Sequence, residues 1–451
     1  MKYSEFLTRF QGCSAQLLPA TLGTLNAISD GMQFGWTSPM IPRLQSKEAP
    51  FQITHLDVIF IEVTFMLAGL LGIPITIFLV DKVGRKKSVL IASSSCLIGW
   101  TLIGVANHVS YIYVARFIMG TASDMAFISS PMYIAEIATP KIRGFLAGII
   151  HLMTFTGLLL MYCIGPFVPF YVPSIVGAFI LLVQLSTFPF MPESPYFLIS
   201  KNREDEARVA LCKLRKSNGD NKDLEKEFWN ITAAVKRQTT ESRRIQDLWM
   251  IKSNRKAIII MTMLNGAQHF GCLTVMLMNL HLILAAAESV YISAHTCAIL
   301  FAALLLISNF ISVLLVDRFG RKVLLISSGI LTGITLFIIG LFFHLKHHSV
   351  DVQGISWIPV VGVMLYAVVF KSGMGSVPIV MTAELFPSNM KAIGMGYADG
   401  IYVILSALSV YIYYLLVENF GIFLPFYIFS SCCFLSAIFT VILFLRLKEK
   451  H

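Results

Sequence analysis

The stretch VDRFGRKVLL at residues 316–325 repeats an earlier one, VDKVGRKKSVL, at residues 80–90. In both copies an acidic residue precedes a basic residue, a glycine and a basic pair, and long apolar runs lie on either side. One such cluster carries little information. The same cluster at two places predicts two related halves with equivalent positions.

The composition explains the apolar runs. Apolar residues make up 56% of the 451-residue chain and charged residues only 13%, whereas soluble domains carry about 25% charged residues. A helix needs about 20 apolar residues to cross a bilayer, where only helices and closed barrels satisfy every backbone polar group. We therefore predict an all-α polytopic membrane protein. Its twelve spans lie at about 17–39, 57–80, 88–107, 111–137, 145–165, 170–191, 256–287, 294–316, 323–343, 357–383, 392–418 and 420–445.

The basic residues predict the orientation of these spans. With both termini inside, only Arg43, Lys47 and Lys346 of the 35 Lys and Arg residues fall on outer loops. Basic residues concentrate on cytoplasmic loops, so both termini are expected in the cytoplasm. The net charge of +10 then reflects topology and attraction to anionic membrane lipids, and it does not indicate a nucleic-acid partner.

Several classes of chemistry lack their signatures. The eight cysteines show no metal-type spacing, and the sequence has no phosphate-binding glycine loop and no plausible nucleophile triad. We therefore predict a protein that is not an enzyme and needs no metal and no cofactor.

The longest polar insert, residues 193–255, divides the chain. Two runs in it place apolar residues at helical spacing, which predicts two short amphipathic helices on the cytoplasmic surface. These residues are Ala207, Ala210, Leu211 and Leu214, then Leu224, Phe228, Ile231 and Val235. The expected organisation is an N-terminal bundle at 1–192, a linker at 193–255 and a C-terminal bundle at 256–451. A solvated charged linker without helices is the alternative.

Charged residues recur at matched positions at the inner ends of the spans. A carboxylate and a base seven residues later end span 4 and, again, span 10. We expect these groups and the two repeated clusters to form a latch that holds the inner side closed and releases when it opens. Its members are Asp81, Arg85, Glu136, Arg143, Asp317, Arg321, Glu384 and Lys391. Positive-inside charge alone would explain any single cluster, but not the matched positions.

At these motifs the sequence resembles the major facilitator superfamily, and within it the sugar porters. The resemblance covers essentially the whole chain and rests on DKVGRK, DRFGRK, PMYIAEIATPKIRG at 131–144, PESPYFL at 192–198 and GMGSVPIVMTAELFP at 373–387. GWTSP at 35–39 and AELFPSNMKA at 383–392 are most similar to insect-type facilitated trehalose and hexose transporters. The resemblance implies two pseudo-symmetric six-helix bundles that rock around a central site lined by spans 1, 4, 7 and 10.

A sugar site needs buried amides and hydroxyls, because each sugar hydroxyl must recover the hydrogen bonds it loses from water. Asn265 and Gln268 share one face of span 7, and the resemblance implies that Gln268 keeps one of two family glutamines. It also implies that His151 and Tyr402 stand at family ligand positions on spans 5 and 11. With Gln33 and Thr37 of span 1, the expected substrate contacts are Gln268, His151, Asn265, Gln33, Tyr402 and Thr37. A structural role is the alternative for each.

Among the ionisable residues within the spans, where charges are costly and usually paired or functional, four lie at positions that suggest pairing or function. They are Asp30, Asp124, Lys371 and Asp399. One interpretation is an ion pair between Lys371 and one of the three aspartates. The other is a share in binding substrate or protons.

The function expected from the resemblance is passive sugar transport, with trehalose or a hexose as the substrate. Sugar porters that use protons usually carry an Asp where this chain has Thr37, and its absence favours a uniporter. The alternatives are a proton-coupled or charged-substrate carrier, and a transport-poor sugar sensor. We expect a monomer in the cell membrane.

Overall fold

The computed structural model describes residues 14–46, 49, 51–140, 142–216, 222–240, 246–378, 381, 385 and 391–448. Within these ranges the regular elements are helices. The first half contains α1 (Ser14–Gly23), α2 (Leu25–Leu44), α3 (His55–Lys82), α4 (Arg85–Gly104), α5 (Val109–Ile137), α6 (Arg143–Ile164) and α7 (Val172–Thr187).

Four helices connect this half to the second one. They are α8 (Pro195–Ser200), α9 (Glu204–Arg215), α10 (Lys222–Thr240) and α11 (Asp247–Met250), and we call this segment the linker. The second half contains α12 (Lys252–Phe270), α13 (Leu273–Ala287), α14 (Ala294–Phe319), α15 (Arg321–His347), α16 (Trp357–Ser372), α17 (Lys391–Phe420) and α18 (Phe423–Lys448).

Most predicted spans match these helices to within a few residues. Ten helices in the described ranges are long and apolar enough to cross a membrane. The further two predicted spans correspond to α1–α2 and α5, which carry buried polar groups such as Gln33, Arg116 and Asp124. Two predicted spans differ: 256–287 is broken between α12 and α13, and the helix expected at 357–383 stops at Ser372.

The repeated cluster forms the same turn in both halves. Gly84 precedes α4 with φ +101° and Gly320 precedes α15 with φ +78°. Both values lie in the region that side chains with a Cβ rarely adopt, so glycine is needed for each turn. The sequence repeat therefore corresponds to a structural one.

The two predicted linker helices are confirmed as α9 and α10, and all eight apolar residues singled out in them are buried. The linker is attached to the first half. Leu214 belongs to an apolar cluster of that half, and Arg215 donates a hydrogen bond from Nη1 to the carbonyl oxygen of Ile137 at 3.0 Å. We call the face of the protein that carries the linker the linker face, and the opposite one the far face.

The two halves are joined differently at these two faces. Across the far face one continuous apolar core contains residues of both halves, for example Met40 and Leu158 with Met278 and Phe301. Near the linker face the apolar residues form separate clusters, one around Tyr133 and Ile150 in the first half and another around Met261, Leu325 and Ala398 in the second. The described structure is therefore closed at the far face and divided at the linker face.

Within the first half, α2 and α6 approach closely through glycines. A Cβ atom added to Gly157 would lie 1.9 Å from the carbonyl oxygen of Ile28, and one added to Gly31 would lie 1.8 Å from that of Thr154. Small residues permit such backbone contact between helices in a bilayer, where packing rather than water exclusion drives association.

Gly157→Ala is expected to destabilise the protein, because the methyl group must push α2 and α6 apart. Overpacking of this kind costs about 1–3 kcal/mol. Thermal unfolding of the purified protein in detergent measures the loss. Gly148→Ala is the matched control on the same helix, since a Cβ there meets no described atom within 4 Å. Equal melting temperatures for the two variants would contradict the packing described.

Candidate functional site

Two interrupted helices meet near the middle of the second half. Between α12 and α13, Cys272 adopts a left-handed conformation with φ +73°, and α16 ends just before Gly373. The two breaks are neighbours, because a Cβ atom added to Gly271 would lie 3.1 Å from the side chains of both Phe370 and Met374. Interrupted helices leave backbone groups free for a ligand, and in membranes they occur where protein or a cavity surrounds them.

The freed carbonyl groups at the breaks are held by polar side chains. The Tyr366 hydroxyl donates to the carbonyl oxygen of Gly271 at 2.6 Å. The carbonyl oxygen of Gly375 accepts from Gln268 Nε2 and from Lys371 Nζ, both at 3.3 Å. Gln268 thus links α12 to the break after α16, and it stands at the centre of the candidate site.

The other predicted contacts of the second half lie on either side of Gln268. Asn265 donates from Nδ2 to the carbonyl oxygen of Ala398 at 2.8 Å, which ties α12 to α17. Tyr402 of α17 places its ring 4.2 Å from the ring of His269, measured between centroids. Asn265 and the His269 next to Gln268 thus both connect α12 to α17, the helix that carries Tyr402.

His269 is a candidate that the sequence analysis missed. It is fully buried, and its Nδ1 lies 2.9 Å from the hydroxyl of Thr274. Its Nε2 has no hydrogen-bond partner within the described ranges, so a ligand hydroxyl can bind there. A histidine next to Gln268 in an apolar span was the signal that could have identified it.

The first half presents His151 and Phe155 of α6 to this region. The Lys371 ammonium lies 4.6 Å from the centroid of the Phe155 ring, and His151 is close enough to interact electrostatically with it. The expected ion pair between Lys371 and an aspartate is therefore wrong: among the described side chains, its neighbours are His151, Phe155 and the Gly375 carbonyl.

The three membrane aspartates gather on another side of the site. Asp30 lies beside Ser123, and the carboxyl group of Asp124 lies next to that of Asp399. Asp124 belongs to the first half and Asp399 to the second, so these two carboxyl groups meet across the boundary between the halves.

The two remaining predicted contacts occupy different surroundings. Gln33 donates to Ser29 Oγ at 3.1 Å and to Cys96 Sγ at 3.5 Å, both in the first half. This placement favours a packing role. Thr37 donates to the carbonyl oxygen of Met278 at 3.0 Å and so connects α2 to α13 near the far face.

Further hydrogen bonds close the far face beside Thr37. Ser38 Oγ lies 2.7 Å from His281 Nδ1, and Tyr162 donates to the carbonyl oxygen of Leu277 at 2.6 Å. Asn279 donates from Nδ2 to Glu62 Oε2 at 3.1 Å and accepts from the Tyr414 hydroxyl. Each of these contacts except the last joins the first half to the second.

Arg116 anchors this network from within the first half, and the sequence analysis missed it too. It is fully buried, donates to the carbonyl oxygen of Gln33 at 2.9 Å, and lies 4.0 Å from the centroid of the Phe65 ring. Its charge also interacts with that of Glu62. A lone arginine inside an apolar span was the available signal.

At the linker face, the predicted latch residues of the first half form local contacts. Arg85 Nε lies 2.8 Å from Glu136 Oε2, and Glu136 also accepts from the Ser194 hydroxyl of the linker. Arg143 donates to the carbonyl oxygen of Ala138 at 3.4 Å, and Asp81 is exposed.

In the second half, Arg321 begins α15. Glu384 lies outside the described residues, as do the side chains of Asp317 and Lys391. The contact of these groups with the first-half latch stays a prediction.

Comparisons with known proteins agree with this architecture. Residues 21–451 match the family described as "Sugar (and other) transporter". The chain belongs to the sugar transporter family. The predicted major facilitator fold is confirmed.

Among curated relatives, the facilitated trehalose transporter Tret1 of Anopheles gambiae is 30% identical over 83% of this chain and 47% of its own length. Tret1 of Culex quinquefasciatus is 27% identical over 95% of this chain and 82% of its own length. The chain thus spans about half the length of several relatives it matches.

Two solved structures have the same fold. The xylose transporter XylE from E. coli, partially occluded and inward open, is 20% identical with a TM-score of 0.75, covering 94% of this chain and 97% of that one. XylE bound to 6-bromo-6-deoxy-D-glucose has a TM-score of 0.76 at 20% identity, covering 95% of each chain.

Asn279→Leu is expected to open the far face, because Glu62 loses the amide that crosses between the halves. A buried polar group without its partner costs about 1–3 kcal/mol, enough to shift a two-state ratio about 5- to 150-fold. Spin labels at Asn107 and Val290, exposed far-face positions in different halves, report the opening as a longer distance when Cys163 is replaced by Ser.

Asn419→Leu is the control for this experiment. Asn419 is exposed and donates only to Leu415 of its own helix among the described groups. If Asn279→Leu left the label distance unchanged, Glu62 and Asn279 would not hold the far face closed.

Proposed function

We propose that the chain moves a sugar, trehalose or a hexose, across the cell membrane by alternating access and without input of energy. The observation that carries the proposal is the position of the two interrupted helices. They present Gln268 and the backbone carbonyls of Gly271 and Gly375 at the boundary between halves that are joined at the far face and separate at the linker face. In the described state, a substrate bound beside the two interrupted helices would enter and leave through the linker face.

The linker face is the cytoplasmic one in this proposal, with both chain termini in the cytoplasm, as the distribution of basic residues indicates. The described state then faces inward. The protein works as a monomer, and anionic lipids contact the basic residues at the linker face.

The substrate is bound mainly by amides and rings from both halves. Gln268 and Asn265 offer amides, Tyr402 and His269 offer a hydroxyl and an unoccupied ring nitrogen, and His151 approaches from the first half. Such groups replace the water around sugar hydroxyls, while aromatic faces cover its C–H surfaces. Trehalose and hexoses are named because curated relatives are trehalose transporters.

The latch residues act in the opposite state. When the far face opens and the linker face closes, Arg85, Glu136 and Arg143 meet the matched groups of the second half around Arg321, Glu384 and Lys391. In the described state Arg85 is instead paired with Glu136, which also accepts from Ser194, and Arg143 donates to the carbonyl oxygen of Ala138.

A second candidate, transport of an acidic sugar, is favoured by Lys371. This buried ammonium faces the site with no carboxylate among its described neighbours, and an isolated buried charge is costly unless a ligand pairs with it. Strong competition by a sugar carboxylate, together with none by a hexose, would favour this candidate over a neutral substrate.

Uptake of labelled trehalose and glucose into proteoliposomes tests the proposal. We expect equilibrating uptake, and Gln268→Ala should raise the half-saturating concentration about 2- to 12-fold, because a neutral hydrogen bond contributes about 0.5–1.5 kcal/mol. Gln353→Ala, at an exposed far-face position, should match the parent protein. Absence of flux for both sugars would refute the proposal and leave a sensor as the better interpretation.

Arg85→Ala is expected to slow maximal uptake without changing the half-saturating concentration, because Arg85 does not reach the substrate site. Glu136 then loses its cationic partner, and the latch loses a member. Arg203→Ala is the control, since Arg203 pairs with Glu206 on the exposed surface of the linker. A changed half-saturating concentration for Arg85→Ala would contradict the assigned gating role.

A further inference from the structure

A pair of carboxyl groups spans the boundary between the two halves. Asp124 lies in the middle of α5 and Asp399 lies in α17, and their carboxyl groups are close enough to interact directly. Glycines of α3 allow this approach. A Cβ atom added to Gly69 would lie 3.4 Å from Val403 and 3.5 Å from the Cβ atom of Asp124.

The helix spacing agrees with that contact. Val403 is four residues beyond Asp399, so the two share one face of α17, and that face is the one that reaches Asp124 over Gly69. A Cβ atom added to Gly72 would also lie 2.9 Å from that of Asp124. The pair is therefore enclosed by α3, α5 and α17.

One oxygen of each carboxyl group in the pair lacks a described hydrogen-bond donor. Asp124 Oδ2 and Asp399 Oδ2 are both buried without a hydrogen-bond donor from the described N–H and O–H groups. Two ionised carboxylates only accept hydrogen bonds, so a bond between them requires a proton on one of them. Carboxyl groups this close cannot both ionise without strong repulsion.

Among the described residues, no cation interacts with the pair. Asp30 of α2 is the further ionisable group that interacts with Asp124, and Tyr402 lies near Asp399 on α17. The part of α3 that touches the pair offers glycines. Lys371 and His151 face each other elsewhere in the site, and Arg116 interacts with Glu62.

We infer that Asp124 and Asp399 form a proton-binding site that holds one proton in the described state and loses it when the halves change position. The inference rests on the alternating access proposed above. With the proton bound, the pair is one acid donating to one carboxylate. The proton leaves to water at the linker face and returns from the same side, so no proton crosses the membrane. Once it has left, two negative charges face each other between the halves, and this repulsion favours the state in which they are apart.

The consequence is a transport cycle that depends on pH. Protonation favours the state with the far face closed, because the proton is bound more tightly there. One proton changes the ratio of two states by up to about tenfold per pH unit. The sugar gradient still sets the direction of net flux, while pH sets how the carrier is distributed between its two states.

The test measures the distance between labels at Asn107 and Val290 in the full-length protein, with Cys163→Ser, across a range of pH. We expect the closed far-face population to grow as pH falls, and sugar uptake to vary over the same pH range. In Asp399→Asn the amide donates to Asp124 at every pH, so the dependence should flatten. Asp124→Asn should flatten the pH dependence in the same way, because its amide would donate to Asp399. This second variant replaces Asp399→Asn in the test if Asp399→Asn does not fold.

Asp205→Asn is the control, because Asp205 is exposed on the linker helix α9. A distance distribution that ignores pH in the parent protein would overturn the inference, and so would a dependence that survives in both pair variants. Absence of sugar uptake would count against the proposed function alone, since the label distances report the proton site without a substrate.

Discussion

The structure depends on the requirement that backbone polar groups inside a bilayer find partners within the protein. Most of the membrane helices meet it by being long and continuous. The interruptions after α12 and α16 violate it locally and are tolerated because Tyr366, Gln268 and Lys371 hold the freed carbonyl groups. The same side chains therefore stabilise the fold and mark the site. A ligand that binds there exchanges hydrogen bonds with groups that already have partners.

A second constraint, close packing between helices, explains why one apolar cluster contains residues of both halves while two others each belong to a single half. Helices in a bilayer associate through closely fitting surfaces. At a given depth in the membrane, the two halves therefore either pack tightly against each other or do not pack at all. At the far face the fit is completed by hydrogen bonds around Thr37, Ser38 and Asn279. Near the linker face each half packs on itself.

The sequence was sufficient for the helices, the linker and the repeated glycine turn, because each follows from local periodicity or from a residue with special backbone freedom. It also placed Asn265 and Gln268 on one face of a helix, since helical spacing determines which residues share a face. It was insufficient for contacts between helices. The predicted partner of Lys371 was wrong, and the roles of Arg116 and His269 were missed, because helix rotation and depth depend on packing that no single segment encodes. The same limit explains Gln33, which shares a helix with Thr37 and yet faces α4.

The linker has a mechanical consequence of its own. Its helices are fastened to the first half through Arg215 and the Leu214 contacts, and Ser194 reaches Glu136, the partner of Arg85. The linker therefore moves with the first half, and it contacts that half next to the gating residues Arg85 and Glu136. A modification or a bound protein that displaced α8 would disturb the hydrogen bond between Ser194 and Glu136. It would thereby slow transport without contacting the site where the substrate binds.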